Sequence, residues 1–200
     1  FITKRKLQEH TKSFYFCAKF MTWVNSIVPN KFPDVKKDHP RVVIPFFDTN
    51  GKMFAFQGRA FGKEEPKYIT IKLDENKRRI FGLDRVDINK EIKVVEGPID
   101  SLFLDNALAC AGADMVLPRV KNKAVYIFDN EPRNIVIIKK IEDLITKGYR
   151  VCIWPKNIKE KDINDLIIAG YSKVEIETII HNNTFSKLSA IQQLNNYKEV

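Results

Sequence analysis

Two short stretches decide how the second half of this chain folds: Ile92-Lys93-Val94-Val95-Glu96-Gly97-Pro98 and Tyr126-Ile127-Phe128-Asp129-Asn130-Glu131. Each begins as an apolar run of the kind that forms a short buried strand, and each ends in acidic residues. Helical patterns follow them over residues 98–110 and 133–147, and residues 150–154 predict the next strand. This alternation predicts a parallel-rich sheet with helices on its faces.

The remaining patterns of the second half extend this sheet. Met115-Val116-Leu117 predicts a further strand between the two acidic stretches. Three helices are predicted near the end of the chain, over residues 162–169, 172–182 and 185–196. We therefore expect an α/β second half that ends in flanking and C-terminal helices.

The first half shows a different pattern. Residues 5–28 mix lysines with aromatic residues, which favours a helix packed by its aromatic side, and residues 29–40 predict a proline-rich loop. Asp48-Thr49-Asn50-Gly51 is a strong turn signal. Strands are predicted over residues 42–47, 53–57 and 68–71. A small, largely antiparallel sheet is expected within residues 41–85.

The whole chain is thus predicted to be α/β, α+β overall, in three parts: a basic N-terminal subdomain (1–90), a catalytic domain (91–170) and C-terminal helices (171–200). Residues 1–90 contain 19 Lys and Arg against 10 Asp and Glu, whereas residues 91–200 contain 15 of each. This uneven charge favours a polyanion-binding surface beside a second module. A lysine-rich face that is merely solvated would produce the same count.

The composition argues against several other protein classes. No apolar stretch approaches the roughly 20 residues of a membrane helix, and the N-terminus lacks a signal-peptide core. Cys17, Cys110 and Cys152 are far apart, so they predict neither a disulfide framework nor a CxxC metal site. We expect reduced thiols and a cytoplasmic location, in the host cell if the chain is phage-encoded.

The acidic residues at the strand ends predict a metal site. Ligands of open α/β sheets bind at the carboxyl ends of strands, and Asp129 and Glu131 point the same way in extended geometry. Clustered carboxylates repel unless cations neutralise them, and oxygen ligands favour Mg²⁺ or Mn²⁺ over zinc. Helix capping is the alternative explanation, which would account for Asp100 and, less well, for Glu96.

These motifs resemble those of Toprim domains. Glu96-Gly97-Pro98-Ile99-Asp100 is similar to the first motif, a glutamate-glycine step that enters a helix. Phe128-Asp129-Asn130-Glu131 resembles the second, which usually ends in aspartate. Lys161-Asp162-Ile163-Asn164-Asp165-Leu166 resembles the acidic segment after the next strand in primases. The resemblance implies catalytic roles for Glu96, Asp100, Asp129 and Glu131, and metal binding by Glu96, Asp129, Glu131 and Asp162.

Among Toprim proteins, the first half resembles the DNA primases of bacteria and phages, above all the stand-alone primases of T4-like phages. Arg41-Val42-Val43-Ile44-Pro45-Phe46 with Phe56-Gln57-Gly58-Arg59 is similar to a primase hairpin. Lys67-Tyr68-Ile69-Thr70 resembles the Lys-Tyr-x-Asn element, and Ile80-Phe81-Gly82-Leu83 its Tyr-Gly-Leu step. The candidate nucleic-acid and nucleotide ligands are Arg41, Arg59, Lys67, Tyr68, Lys77, Arg78 and Arg79. Phe54 and Phe56 could stack bases, although alternating aromatic residues in a sheet are more often core.

The resemblance implies a primase core that makes RNA primers on single-stranded DNA from ribonucleoside triphosphates. It implies Mg²⁺ or Mn²⁺ as cofactor, a separate replicative helicase as partner, and no membrane. The chain has no Cys/His cluster for zinc and no P-loop motif, so we expect that the zinc-binding module of such primases lies outside it or was lost. Two alternatives remain open: a Toprim nuclease, and a non-catalytic module that binds single strands or loads the helicase. The apolar faces within residues 172–196 either cover the sheet edge or dock the helicase.

Overall fold

In the computed structural model, which describes residues 1–112 and 115–198, the chain folds into two compact units, Phe1–Asp84 and Arg85–Val200. None of the helices in the described part of the chain is long and apolar enough to cross a membrane. The division into three parts remains a prediction.

The first unit contains a four-stranded sheet in which every neighbouring pair is antiparallel. Its strands, in spatial order, are β1 (Tyr15–Cys17), β2 (Arg41–Phe47), β3 (Met53–Ala60) and β4 (Tyr68–Lys72). The turn between β2 and β3 forms where it was predicted: the Asp48 carboxylate accepts hydrogen bonds from the N–H groups of Asn50 and Lys52, each at 3.0 Å. Phe54 and Phe56 are 2% and 0% exposed, so their interpretation as core is confirmed.

Helix α1 (Phe20–Ile27) covers one face of this sheet. The buried cluster between them is formed by Phe20, Val24, Val43, Phe56 and Ile71. A Cβ atom at Gly58 would lie 2.3 Å from the Phe20 ring. Glycine at this position therefore allows the helix to approach the strand closely.

The predicted helix over residues 5–28 is wrong in its first part. Thr3–Arg5 and Gln8–Ser13 form 3-10 turns, and Tyr15–Cys17 is a strand. Tyrosine and phenylalanine favour strands, and pairing with β2 supplies backbone hydrogen bonds to this segment. The aromatic side chains do not all pack inwards either, because Tyr15 and Phe16 are 58% and 69% exposed.

The second unit contains a five-stranded sheet in the order β6-β5-β7-β8-β9. Its strands are β5 (Ile92–Val95), β6 (Ala107–Ala109), β7 (Ala124–Ile127), β8 (Arg150–Cys152) and β9 (Thr184–Phe185). The neighbours among β5 to β8 pair in parallel, and β9 is antiparallel to β8. This confirms the predicted fold class, a parallel-rich sheet after an antiparallel one.

In the described part of this unit, the α-helices are α2 (Pro98–Leu102), α3 (Ile135–Thr146), α4 (Ile163–Ala169), α5 (Lys173–Asn182) and α6 (Lys187–Tyr197). Helix α3 begins where the Asn134 side chain accepts hydrogen bonds from the N–H groups of Val136 and Ile137. Its buried residues, Ile137, Ile138, Ile141, Leu144 and Ile145, recur at helical spacing. Helix α6 packs against α3 and β9.

Two predictions in the second half are wrong. The helix expected over residues 98–110 ends at Leu102, and residues 107–109 form the edge strand β6. Asn106 adopts a left-handed φ of 50°, and its side chain donates hydrogen bonds to the carbonyls of Asp87 and Glu91, so the chain turns back before the apolar run. Because β6 takes the place beside β5, residues 115–117 lie in no strand.

Candidate active site

Four of the five predicted acids line one small cavity: Glu96, Asp100, Asp129 and Asp162. Strands β5 and β7 are parallel neighbours, so their carboxyl ends meet at the same edge of the sheet. The rest of the cavity lining is apolar, formed by Val95, Ile127, Phe128, Trp154 and Ile163. The fold thus brings four carboxylates together beside apolar side chains.

Two helix starts position Asp100 and Asp162. A Cβ atom at Gly97 would lie 2.4 Å from Asp100 Oδ2, so the glycine leaves room for that carboxylate. Asp100 Oδ1 accepts a hydrogen bond from the Asn164 N–H at 3.0 Å. Asp162 caps α4 by accepting from the Asp165 N–H at 2.7 Å. Capping therefore explains part of the contacts of both acids, but it does not explain why the two converge with Glu96 and Asp129.

The clustering changes the acidity of two of these groups. Burial, together with repulsion from Asp162 and Asp129, raises the pKa of Asp100 to about 8. Burial and the charges of Glu96 and Asp162 raise the pKa of Asp129 to about 7, although the Lys161 ammonium opposes this effect. Strongly raised carboxyl pKa values in a cleft are typical of functional sites.

Glu131 lies apart from this cavity. The chain does not continue as extended backbone beyond β7, because the Glu131 N–H donates to the Asp129 carbonyl at 2.9 Å. The extended geometry expected for these two residues is therefore wrong, although both carboxylates still face one cation, because Lys161 Nζ pairs with Glu131 and lies 3.8 Å from Asp129 Oδ2. Glu131 instead pairs with Lys161 and accepts a hydrogen bond from the Asn134 amide at 2.6 Å, and these two contacts lower its pKa.

Asn130, between the two acids of this motif, joins the loops after β7 and β8. Its N–H donates to the Lys161 carbonyl at 2.6 Å, and its side-chain amide donates to the carbonyls of Ile158 and Glu160, each at 3.1 Å. The Tyr197 hydroxyl of α6 donates to its side-chain oxygen at 3.2 Å. Sequence reasoning missed this link. The place of Asn130 inside the motif was a usable signal, but nothing pointed to Tyr197.

Replacing Asn130 with alanine should destabilise the protein by about 2–4 kcal/mol, because three partly buried hydrogen bonds are lost together. Tyr197→Phe removes only one bond and should cost about 1 kcal/mol. Both values are measured by denaturant unfolding. Asn195→Ala, an exposed site on α6, is the matched control, and a loss in Asn130→Ala no larger than in this control would contradict the link.

The acids suit a hard divalent cation by their chemistry. Glu96 Oε1 is buried and has no hydrogen-bond partner among the described residues, and Lys140 Nζ lies 3.9 Å from it. Carboxylate oxygens are the ligands that Mg²⁺ and Mn²⁺ prefer. Within residues 1–112 and 115–198, however, no three His, Cys, Asp or Glu side chains already form a metal-binding group. The fit therefore rests on the kind of donors and not on a preformed coordination geometry.

Arg41, predicted as a nucleic-acid ligand, is buried in the first unit at 3% exposure. Its guanidinium donates hydrogen bonds to the carbonyls of Gly58 and Pro66, at 3.1 and 3.0 Å. It also lies 5.6 Å from the ring centroid of Phe20. Arg41 is thus a buried residue that stabilises the sheet, and its role in nucleic-acid binding remains a prediction.

The other predicted basic residues of β3 and β4 differ in accessibility. Arg59 is 6% exposed, and its Nε donates to the Tyr68 hydroxyl at 2.9 Å. Tyr68 is 38% exposed, and Lys67 is exposed with its ammonium 5.9 Å from the Tyr68 ring centroid. Lys67 and Tyr68 are thus accessible, whereas Arg59 is buried and stabilises the position of Tyr68 through this hydrogen bond.

The basic run after β4 is only partly accessible. Lys77 pairs with Asp48 at 2.5 Å. Arg78 is exposed and Arg79 is half-buried. The predicted roles of these three residues in nucleotide binding remain predictions.

The chain is similar to proteins of known function. It is 39% identical over 196 residues to the DNA primase of Enterobacteria phage T4, a match that covers 94% of this chain and 56% of that protein. The chain belongs to the DNA primase family. It is also 28% identical over 142 residues to the DNA primase of Thermotoga maritima, which covers 61% of the chain and 25% of that protein. This primase-family chain thus spans about half the length of its phage relative.

Solved primase structures share the fold of this primase-family chain. The Escherichia coli primase catalytic core matches 98% of the chain with a TM-score of 0.67 and 18% identity, over 74% of that structure. The RNA polymerase domain of Mycobacterium tuberculosis primase DnaG matches 90% of the chain with a TM-score of 0.66 and 17% identity, again over 74% of that structure. No protein-family model matches the chain.

Proposed function

We propose that this chain contains the catalytic core of a DNA primase, which joins ribonucleoside triphosphates into short RNA primers on a single-stranded DNA template. The observation that most supports this function is the meeting of Glu96, Asp100, Asp129 and Asp162 around one cavity at the carboxyl ends of β5 and β7. Its relatives are DNA primases, and one solved relative is a DnaG catalytic domain bound to single-stranded DNA.

In the proposed reaction, Glu96, Asp129 and Asp162 hold Mg²⁺ or Mn²⁺ in a Toprim-type site. When bound, such an ion neutralises phosphate charge and activates the attacking hydroxyl. Glu96 offers a buried oxygen without a hydrogen-bond partner among the described residues. Asp100 keeps the cluster together through Asn164. Glu131, the fourth acid proposed from its motif, would have to exchange Lys161 for the ion.

Primer synthesis is tested by incorporation of labelled ribonucleotides on a single-stranded template with Mg²⁺ or Mn²⁺. An RNA product supports the primase proposal. Shortening of the template would instead indicate a nuclease that uses the same acids. Template binding without either product would indicate a non-catalytic binding module.

Template binding should depend on salt and on Lys67. Because lysine contacts to phosphate release counterions, the affinity for an oligodeoxynucleotide should fall steeply between 50 and about 200 mM salt. Lys67→Ala should weaken binding and reduce the slope of the logarithmic salt dependence by about 1. Lys147→Ala, on the second unit and paired with Asp143, is the matched control. An affinity that does not vary with salt would contradict the prediction.

The exposed part of the C-terminal helices is the proposed contact for a replicative helicase. The predicted apolar face of residues 185–194 divides: Leu194 is buried, whereas Leu188 and Ile191 are 77% and 49% exposed. Deleting residues 185–200 would therefore remove core contacts as well. Leu188→Gln with Ile191→Gln should leave priming on naked single strands unchanged and reduce its stimulation by the helicase. Loss of both activities together would contradict the docking proposal.

A further inference from the structure

Strand β1, at the edge of the first sheet, has two adjacent aromatic side chains in solvent. Tyr15 is 58% exposed and Phe16 is 69% exposed. Large apolar side chains on an exposed edge strand promote association with other molecules. Two of them on a three-residue strand therefore indicate a contact surface.

Phe16 belongs to a row of residues that crosses all four strands. The register pairs Phe16 with Val42, Val42 with Arg59, and Arg59 with Tyr68, so these side chains lie on one face of the sheet. Val42 and Arg59, in the middle, are buried at 4% and 6% exposure, whereas Phe16 and Tyr68, at the two ends, remain exposed. The accessible part of the row is thus aromatic.

Aromatic rings lie close together at one end of this row, and cations lie beside the ring at its other end. The ring centroid of Phe61, a side chain that is 44% exposed, lies 5.8 Å from that of Phe16. The Arg59 guanidinium and the Lys67 ammonium lie 5.5 and 5.9 Å from the Tyr68 ring centroid. Exposed rings next to cations are the combination with which proteins stack unpaired bases and neutralise the adjoining phosphates.

The charge of the first unit agrees with a polyanion. Residues 1–84 contain 17 Lys and Arg and 9 Asp and Glu. In the loop between β3 and β4, Glu64 and Glu65 accept hydrogen bonds from the N–H groups of Gly62 and Lys67, which partly offsets their negative charge. Charge complementarity therefore favours a single-stranded nucleic acid over a neutral apolar partner.

We propose that Phe16, Phe61 and Tyr68 form an aromatic platform on which bases of the single-stranded template stack. The inference rests on the proposed function for the identity of the ligand. It adds Phe16 and Phe61, which lie outside the primase-like motifs of this chain. Lys67 neutralises backbone phosphate beside the platform, and Arg59 holds the Tyr68 ring in place.

The platform is tested with an oligodeoxynucleotide that contains 2-aminopurine, whose fluorescence falls when the base stacks on an aromatic ring. Phe16→Ala should weaken binding by about 5- to 150-fold, the range expected for the loss of one stacked base, and should reduce the quenching. The slope of affinity against salt should stay unchanged, because no ionic contact is removed. Lys67→Ala should instead reduce that slope by about 1.

Ile88→Ala, an exposed apolar site of the second unit, is the matched control, and thermal unfolding verifies that each variant folds. If both Phe16→Ala and Phe61→Ala leave the affinity and the quenching unchanged, the platform is wrong. Primer synthesis by the unchanged chain would then still support the proposed function. If the unchanged chain forms a dimer that Phe16→Ala dissociates, the surface is a self-association interface and the platform is wrong. Failure of the unchanged chain to bind the oligonucleotide would overturn the platform and the template assignment together.

Discussion

Glu96→Gln is expected to reduce primer synthesis by at least about 100-fold, the size of effect typical of removing one electrostatic group from an active site. The substitution keeps the shape of the side chain and removes its charge. Because Glu96 raises the pKa of Asp129 by repulsion, the free energy of unfolding should remain equal or increase. Activity is measured by ribonucleotide incorporation and stability by denaturant unfolding.

The control for this variant is Glu142→Gln on α3. Glu142 is exposed and pairs with Lys198, so its substitution should change neither activity nor stability by much. A matched loss of activity and stability in Glu96→Gln would show that Glu96 is a structural acid. If Glu96 is a functional acid, Glu96→Gln should lose primer synthesis while its free energy of unfolding does not fall.

The second large effect concerns pH and divalent cations. Folding raises the pKa of Asp100 to about 8 and that of Asp129 to about 7, above the value of about 4 in an unfolded chain. A carboxyl group of this kind favours the folded state in its protonated form. Its contribution is fully present below about pH 4 and is lost as pH rises through the folded pKa values. Without divalent cations, stability should therefore fall between about pH 4 and about pH 8.

Mn²⁺ should reverse this loss, because a bound cation stabilises the ionised carboxylates and protons compete with it. The melting temperature should rise on adding Mn²⁺ at pH 8.5 and change little at pH 5. Asp100→Asn should abolish much of the decline in stability between these pH values. An Mn²⁺-induced shift of equal size at both pH values would contradict the assignment of the acids as ligands.

The meeting of Glu96 and Asp129 was predictable because the features that place them are local in the sequence, whereas Asp162 came only from the resemblance to Toprim primases. Apolar runs that end in Glu96 and Asp129 define two strands and their carboxyl ends, and parallel pairing then brings those ends together. Asp100 follows Glu96 within the same motif. Such features need only hydrophobic periodicity and the handed geometry of α/β units.

The contacts that differ from prediction are set by distant residues. Glu131 pairs with Lys161, which lies 30 positions further along the chain. The two-residue spacing between Asp129 and Glu131 does not indicate this partner. The sequence does not distinguish a buried arginine from an accessible one. The Arg41 side chain is buried, with its guanidinium hydrogen-bonded to backbone carbonyls and close to the Phe20 ring. The bond between Tyr197 and Asn130 spans 67 positions. Tertiary packing decides each of these cases.

The strand predictions were least accurate where two short apolar runs could each form the same edge strand of the sheet. Ala107-Leu108-Ala109 and Met115-Val116-Leu117 are both plausible edge strands, and periodicity does not rank them. Helix α2 ends at Leu102, and the left-handed backbone at Asn106 then directs Ala107-Leu108-Ala109 alongside β5. The same kind of competition affected residues 15–17, where pairing with β2 outweighed the helical pattern.

Crystals of the protein soaked with Mn²⁺ test the central claim most directly, because anomalous scattering locates the ion without reference to activity. The account predicts an anomalous peak between Glu96, Asp129 and Asp162, and its loss in crystals of Glu96→Gln. No peak at this cavity, or a peak that persists unchanged in Glu96→Gln, would contradict the claim that these acids form the metal-dependent centre.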